Sequence, residues 1–318
     1  MGQNITALIV THNRLDKLKK NLSRTLVQDF HGVVVINCGS TDGTKEYLDN
    51  LQDSRLVAVH IKNIGGAGGF SFGARWLTRH LKTDWVVFFD DDAMPDKNLI
   101  DKFRRSNLKN YHAIACHVWA PGDLLPLMNT PVKRYPYTFG RLLRYLSGRK
   151  KMLISPEDLN TRITPVEAAS FAGFFIRFDV LQKTWKAINA DLFIYYDDIF
   201  YTLWLHKSGY RLVFIPQLKF FHDVEQSNRM PAWKIYFLAR NIFSLRPLCS
   251  GPTFPGLALL KLGSLAGVIL KNKIPGTAGL KLFITGILDG MVGNFTRFGQ
   301  TDPIEKIIRH GLKNGSKV

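Results

Sequence analysis

Three consecutive aspartates, Asp90-Asp91-Asp92, follow directly on the apolar run WVVFF at 85–89. A buried strand that ends in three carboxylates carries concentrated negative charge to the rim of a sheet. In an open α/β sheet, ligands bind at that rim. On an extended chain Asp90 and Asp92 point the same way. Their hard oxygens suit Mg2+ or Mn2+, and an ion held there would bridge two phosphates and take up charge as a diphosphate departs. Asp91 is left to contact ribose or to support the turn. The competing reading is a solvated loop with Asp92 capping the next helix. A second acidic pair, Asp197-Asp198, follows the aromatic stretch 193–196. By itself it reads as the cap of the helix that follows. Gly65, Gly66, Gly68 and Gly69 place four glycines within five positions, which permits tight turns and close approach of a ligand to the backbone.

The elements around these residues alternate. Residues 5–10 and 33–37 read as short β-branched strands, and 56–60 as a third. A helix at 15–27 repeats Leu15, Leu18, Leu22 and Leu26 at helical spacing. Asp42 or Thr41 stands where a second helix needs a cap. Strand and helix in alternation imply a parallel sheet with helices on both faces. The glycine run at 63–70 then reads as a loop, with a helix at 71–81 after it, strand 85–89, and a helix at 97–109. Residues 120–165, rich in proline, arginine and tyrosine, read as an extended loop region or small subdomain. Apolar structure resumes at 168–178, a helix is expected at 199–207 and a strand at 211–215.

The bulk composition narrows the partners. The chain has 318 residues, 46% of them hydrophobic, enough for one large domain with a modest appendage. A net charge of +18 favours an anionic partner: a nucleic acid, an acidic lipid surface or a phosphorylated substrate. Three cysteines, Cys38, Cys116 and Cys249, lack metal-ligand spacing and point to a reducing compartment. The N-terminal residues lack the pattern of a signal peptide. No uncharged apolar run reaches the length of a membrane-spanning helix, so a cytoplasmic location is expected. From 232 onward the character changes. Leu257, Leu260, Leu265 and Ile269 form a broad apolar face, and Lys261, Ser264, Val268 and Lys271 a narrower one. That pattern suits a helix on an anionic bilayer, a helical hairpin packed on the main domain, or a contact between copies of the chain.

Several motifs in order resemble the family-2 glycosyltransferases, which have the GT-A fold. They are Thr11-His12-Asn13-Arg14 after the first strand, Asn37-Cys38-Gly39-Ser40-Thr41-Asp42-Gly43-Thr44 after the second, the run 63–70, Asp90-Asp91-Asp92, and the late Tyr236-Phe237-Leu238-Ala239-Arg240-Asn241. The glycine run and the three aspartates resemble the bacterial galactofuranosyltransferases, within a branch that includes rhamnosyltransferases. Those enzymes carry Trp-Asp-Asp-(Ala/Val)-Glu. Here the segment is Tyr196-Asp197-Asp198-Ile199-Phe200, which keeps the dyad and lacks the glutamate.

The resemblance implies an α/β GT-A nucleotide-sugar-binding fold, with a mixed, mostly parallel sheet over residues 1–245 and a basic helical extension at 246–318. It implies inverting transfer of a hexose, galactofuranose from UDP-galactofuranose or rhamnose from dTDP-rhamnose, to a hydroxyl of a bacterial glycan. A basic chain with an apolar helix adds a lipid-linked acceptor at the cytoplasmic face of the membrane, as in O-antigen or cell-wall polysaccharide synthesis. Asp198 would be the base and Asp197 its support. Asp90, Asp92 and His222 would hold Mn2+ or Mg2+. Thr11, Asn13, Arg14, Asp42, Asp91 and the four glycines would bind the donor, and His12 would lie close to its base or ribose. An oxidoreductase is disfavoured, because the glycines follow the third strand and lack the dinucleotide fingerprint. A nucleic-acid-binding protein is disfavoured by the acidic cluster. A non-catalytic glycan-binding protein would bind its partner without metal.

Overall fold

The computed structural model describes residues 3–106, 108–120, 129–160, 163–223, 231–273 and 276–296. Its sheet is laid down by apolar runs: Ile5–Thr11 (β1), Gly32–Cys38 (β2), Leu56–Ile61 (β3), Trp85–Asp90 (β4), Ala93–Pro95 (β5), Ala113–Trp119 (β6), Thr164–Val166 (β7), Phe174–Arg177 (β8) and Leu212–His222 (β9). The order is β3-β2-β1-β4-β8-β6-β9-β5, with β7 also paired to β9. The first half, β3 to β4, is parallel. β8 runs antiparallel between β4 and β6, and β6 pairs parallel with β9. This is the mixed GT-A-like sheet that the motifs implied, with a helical region at its C-terminal end.

β1 and β2 are buried on both faces, so they read as continuous apolar runs rather than alternating ones. Period-two alternation still sorts their side chains. Ala7, Ile9, Val33 and Val35 pack with Leu18 and Leu22 of helix Leu15–Thr25 on one face. Leu8, Val10, Val34 and Ile36 pack with Phe70, Ala74 and Leu77 on the other.

Several boundaries differ from the sequence expectation. The glycine run is not a loop before a helix at 71–81: it is the first turn of helix Gly65–His80. Glycine is a poor helix former, yet here only glycine fits. A Cβ on Gly69 would stand 2.6 Å from Val10 Cγ1, and one on Gly73 2.5 Å from Leu8 Cδ1. The helix lies that close to the sheet. The helix expected at 97–109 is shorter, Leu99–Arg105. Within 120–165, where residues 121–128 and 161–162 lie outside the description, helix Phe139–Gly148 forms. The strand expected to stop at 215 continues to His222. Pro216 cannot donate to the ladder, and the register between β6 and β9 slips there, so that Cys116 faces Ile215 and His117 faces Lys219. The bulge carries β9 past the proline. The helix expected at 199–207 begins at Asp197.

After β9, helix Ala232–Asn241 packs on helix Gly276–Met291. Gly286 and Gly290 bring the two together, the first so closely that a Cβ would meet Tyr236 O at 2.5 Å. Between them runs helix Thr253–Val268, continued by one wide turn, Ile269–Lys273. Residues Thr253–Lys271 have a mean hydropathy of 1.6, and only 22% of the apolar window is buried. By length and composition alone, despite Lys261, this helix could cross a membrane. Residues 297–318 of the expected extension lie outside the description.

Candidate active site

Strand register assembles the acidic turn. Asp90 closes β4 beside Val10 of β1, and the antiparallel pairing of β5 with β9 sets Ala93 opposite His222. The histidine thereby reaches back 130 positions to Asp92, with Nε2 at 3.0 Å from Oδ1. The Arg14 guanidinium donates to Asp92 Oδ2 at 2.6 Å and to Asp91 Oδ1 at 3.3 Å. Thr11 Oγ1 donates to Asp91 Oδ2 at 2.8 Å. Asn21, buried on helix Leu15–Thr25, donates to the carbonyls of Asp90 and Ala93 at 3.1 and 2.7 Å and pins the turn. Nothing in the sequence singled out Asn21. A polar residue at a buried helical position was the available signal.

The electrostatics of this turn are those of a site short of cations. Burial, then Asp92 and Asp91, push the Asp90 carboxyl up to about 7. Burial raises Asp91 to about 6 against the opposing charge of Arg14. Burial acts on Asp92 in the same sense, but its hydrogen bond to His222 and the charge of Arg14 outweigh it and hold the carboxyl below its ordinary value. His222 is raised, its burial outweighed by Asp92. Arg14 is likewise raised: burial opposes, and the aspartates prevail.

Among the described residues, no three His, Cys, Asp or Glu side chains already converge on one point as a metal cage. The donor set nonetheless fits a divalent cation. Carboxylate oxygens and an imidazole match Mn2+ or Mg2+ chemically. Among the described residues, Asp90 has no ionic partner at hydrogen-bond distance and the buried His222 Nδ1 has no hydrogen bond.

The second acidic pair is delivered by a strained loop. Phe193, Tyr195 and Tyr196 have φ of 64°, 68° and 67°, a region that L-residues other than glycine, asparagine and aspartate rarely enter, at roughly 1–2 kcal/mol each. What holds them there is the Arg-Asn end of helix Ala232–Asn241. Arg240 Nη2 donates to the carbonyls of Asp191 and Leu192 at 3.0 and 2.9 Å. Asn241 Nδ2 donates to those of Leu192, Ile194 and Tyr195 at 2.9, 2.7 and 3.0 Å. Arg240 is fully buried, among the rings of Tyr236, Phe237 and Phe295, and Phe295 O accepts from its Nη1 at 2.8 Å. From the other side Ala67 N donates to Phe193 O at 3.0 Å. Gly65, at φ +74°, abuts that same carbonyl, and a Cβ there would collide with it.

The loop ends where helix Asp197–Lys207 begins. Asp197 is raised well above its ordinary value by burial and then by Asp198. Asp198 is raised to about 6, burial being countered by backbone N–H groups, among them Ile199 N at 2.6 Å from Oδ1. Burial thus favours the protonated form of both carboxyls relative to an exposed aspartate.

Both acidic sets open into one cleft of about 570 Å3, within the usual range for small-molecule sites. Its walls include Arg14, Asp90, Asp92, His222, Asp197, Asp198 and Gly66. A hollow of similar size, about 640 Å3 near Trp204, is lined instead by Lys183, Lys186 and Asp191. The remaining expected donor residues do not line the cleft. Thr11 is tied to Asp91. Asn13 accepts from Thr41 N at 2.7 Å. Asp42 accepts from the first N–H of two helices, Leu15 N at 2.9 Å and Thr44 N at 3.3 Å. His12 Nδ1 lies 2.6 Å from Cys38 O. Gly68 and Gly69 pack on Ile64 and Val10, so of the four glycines Gly66 alone lines the cleft.

A parallel-to-mixed sheet with an acidic turn at the end of its fourth strand defines a GT-A-like sugar-nucleotide fold. Residues 6–185 match the model of glycosyl transferase family 2, and the chain belongs to that family. It is 34% identical over 98 residues to galactofuranosyltransferase GlfT1 of Mycobacterium tuberculosis, covering 29% of this chain and 32% of that protein, about a third of the relative's length. Rhamnosyltransferase WbbL of Escherichia coli is 21% identical over 234 residues, 70% of this chain and 84% of that protein. Among solved structures, mannosyltransferase PcManGT from Pyrobaculum calidifontis, in complex with GDP-Man and Mn2+, shares the fold with a TM-score of 0.53 and 15% identity over 93% of this chain and 88% of that one. TarS 1-349 of S. aureus with UDP-GlcNAc does so with a TM-score of 0.56 and 12% identity, over 91% and 80%.

Proposed function

We propose that this protein is an inverting, metal-dependent hexosyltransferase that moves galactofuranose from UDP-galactofuranose to a hydroxyl of a lipid-linked bacterial glycan. The observation that carries it is the pairing, across one cleft, of the acidic turn Asp90-Asp91-Asp92 with the buried dyad Asp197-Asp198. Family membership and the relative GlfT1 support the donor. The match to a rhamnosyltransferase over 84% of that protein's length supports dTDP-rhamnose as the second donor.

In this reading the acceptor O–H gives its proton to Asp198. The oxygen attacks the anomeric carbon, and the bond from that carbon to the diphosphate oxygen breaks, its electron pair leaving with the nucleoside diphosphate. Asp197, beside it, supports Asp198 or orients the acceptor. Arg14 and the positive end of helix Gly65–His80 supply charge toward the diphosphate. Asp90, Asp92 and His222 would hold Mn2+ or Mg2+, which when bound stabilises charge on the leaving diphosphate. The net charge of +18 and the mostly unburied apolar helix Thr253–Val268 suit a protein lying on the anionic cytoplasmic face of a membrane.

The test is release of UDP or dTDP from a panel of UDP-galactofuranose, UDP-galactopyranose, UDP-glucose and dTDP-rhamnose, with a lipid-linked glycan acceptor. Turnover with one donor, abolished by chelation and by Asp198→Asn, is expected. Nucleotide binding without turnover across the whole panel would overturn the enzymatic reading in favour of a non-catalytic binding role.

A further inference from the structure

The hollow of about 640 Å3 flanks the segment that carries the dyad. Asn189, Asp191 and Phe200 line it, while Ile194 to Ile199, between them in sequence, line the reaction cleft. Phe200 and Trp204 stand four positions apart on helix Asp197–Lys207, and so on one side of it. Both line the hollow, and both are only partly buried. The last turn of helix Phe178–Thr184 and the turn after it add Lys183 and Lys186. These two lysines are exposed, and among the described residues neither is paired with a carboxylate. Asn189 Oδ1 accepts from Asp191 N at 3.1 Å, which fixes the amide and leaves its Nδ2 to donate.

The chemistry of these walls selects a sugar chain. A sugar ring has a C–H face that packs on an aromatic ring and a rim of hydroxyls that both donate and accept. Phe200 and Trp204 offer the first surface. For the second, the Asp191 carboxylate accepts, and Asn189 and the two lysines donate. Aromatic walls with a few polar groups are the usual form of a small-molecule site. A polyphosphate or nucleotide fits poorly. The Asp191 carboxylate opposes it, and the helix that brings Lys183 turns its C-terminal end, the negative end of its dipole, to the hollow. A purely apolar ligand would bury four polar side chains without partners.

We infer that this hollow is a second glycan-binding site, outside the reaction cleft: sugar rings pack on Phe200 and Trp204, and their hydroxyls meet Asn189, Asp191, Lys183 and Lys186. It holds a stretch of the chain being elongated, away from the hydroxyl that reacts. That the bound glycan is the acceptor rests on the transfer reaction proposed above. The binding of a glycan does not.

The experiment is calorimetric binding to the full chain of a galactofuranose tetrasaccharide and a rhamnose tetrasaccharide, with inorganic tripolyphosphate measured alongside. Trp204→Leu removes the larger ring and keeps an apolar side chain where Trp204 packs on its neighbours. Lys183→Ala with Lys186→Ala removes both cations at exposed positions, where the fold is least at risk. One tetrasaccharide is expected to bind the parent, and to bind Trp204→Leu and the double lysine variant about tenfold more weakly or worse. Unchanged circular dichroism reports an intact fold. In the transfer assay the same variants are expected to raise KM for the tetrasaccharide acceptor and to leave kcat and the KM for donor as in the parent. Binding of neither tetrasaccharide by the parent, or equal binding by parent and variants, would overturn the site, and donor turnover in the same protein would leave the transferase reading standing. Binding of tripolyphosphate in place of both glycans, lost in the double lysine variant, would assign the hollow to a polyanion and overturn it as well. Tetrasaccharide binding with the expected variant losses, in a protein that turns over no donor, would uphold the site and remove the transferase reading.

Discussion

At the scale of single residues, Asp198 makes the sharpest commitments. A base held near pH 6 must be ionised to accept a proton. On the acid side of that value kcat should fall by roughly tenfold per pH unit, and Asp198→Asn should lower kcat by about 10² to 10⁴ while donor binding persists. Stability should move the other way. The folded-state value lies above the ordinary carboxyl value of 3.8, so the stability contribution of this group is complete below 3.8 and is lost as pH rises through 6. Asn keeps an oxygen for Ile199 N without the charge. Asp198→Asn should therefore melt above the parent at pH 8 and match it at pH 4, in thermal scans of the metal-free protein. A variant that loses both stability and turnover would mark Asp198 as a structural cap. The acidic turn allows a different measurement. With Asp90, Asp91 and Asp92 crowded on one strand end, Mn2+ should raise the melting temperature of the parent, and Asp92→Asn should abolish that rise.

At the scale of elements, the loop 193–196 is held in an unfavourable conformation by two side chains from a distant helix. Asn241→Leu removes the side-chain donor to the partly buried carbonyls of Ile194 and Tyr195 and one of two side-chain donors to Leu192 O. Unsatisfied buried groups cost about 1–3 kcal/mol each, so this variant should unfold at clearly lower denaturant. In what remains folded, kcat should fall far more than the KM for donor rises, because Arg14 and the acidic turn are untouched. Equal effects on both would show that the loop serves the whole cleft and not the dyad alone. Element order was readable in advance, since β1, β2 and β4 are continuous apolar runs that only a doubly covered sheet accommodates. The glycine helix was not: propensity argues against a helix start at Gly65, and the close approach to Val10 and Leu8 that requires glycine is a tertiary fact. The extension of β9 past Pro216 was hidden for the same reason, because a bulge opposite Cys116 and His117 depends on the partner strand. His222 was singled out by resemblance alone, and the register of β5 with β9 supplies its physical reason. The motif Arg240-Asn241 was legible as a pattern, but its role as a clamp required knowing where the carbonyls of 191–195 lie.

At the scale of the whole molecule, the C-terminal helices bear on the cleft through the same clamp. Tyr236 OH donates to Asp289 Oδ2 at 2.8 Å, and Arg240 is completed by Phe295 O. Gly286 and Gly290 are shaped to the backbone of helix Ala232–Asn241. A division at 245/246 would cut between a buried arginine and part of its coordination. Removing 246–318 should leave Arg240 with an open guanidinium face and Phe237 and Leu282's former neighbours exposed, and a buried donor left without its acceptor costs about 1–3 kcal/mol on top of the lost apolar packing. The shortened chain should therefore be recovered unfolded or aggregated, as read by far-UV circular dichroism and gel filtration. The outer face of the same helices makes the opposite demand. Leu280, Ile284 and Leu288 are each about half exposed, at the four-residue spacing that keeps them on one side of helix Gly276–Met291. If that side lies on an anionic bilayer, the full chain should sediment with phosphatidylglycerol vesicles, lose much of that binding between low and high salt as exposed charges are screened, and lose the salt-resistant remainder in Ile284→Ser with Leu288→Ser. The two experiments separate the inner face from the outer one. A truncated chain that stays folded would make the extension an independent module. A full chain indifferent to vesicles would leave its apolar outer face to a second copy of the protein, which gel filtration of the same double variant would then show as a shift from dimer to monomer.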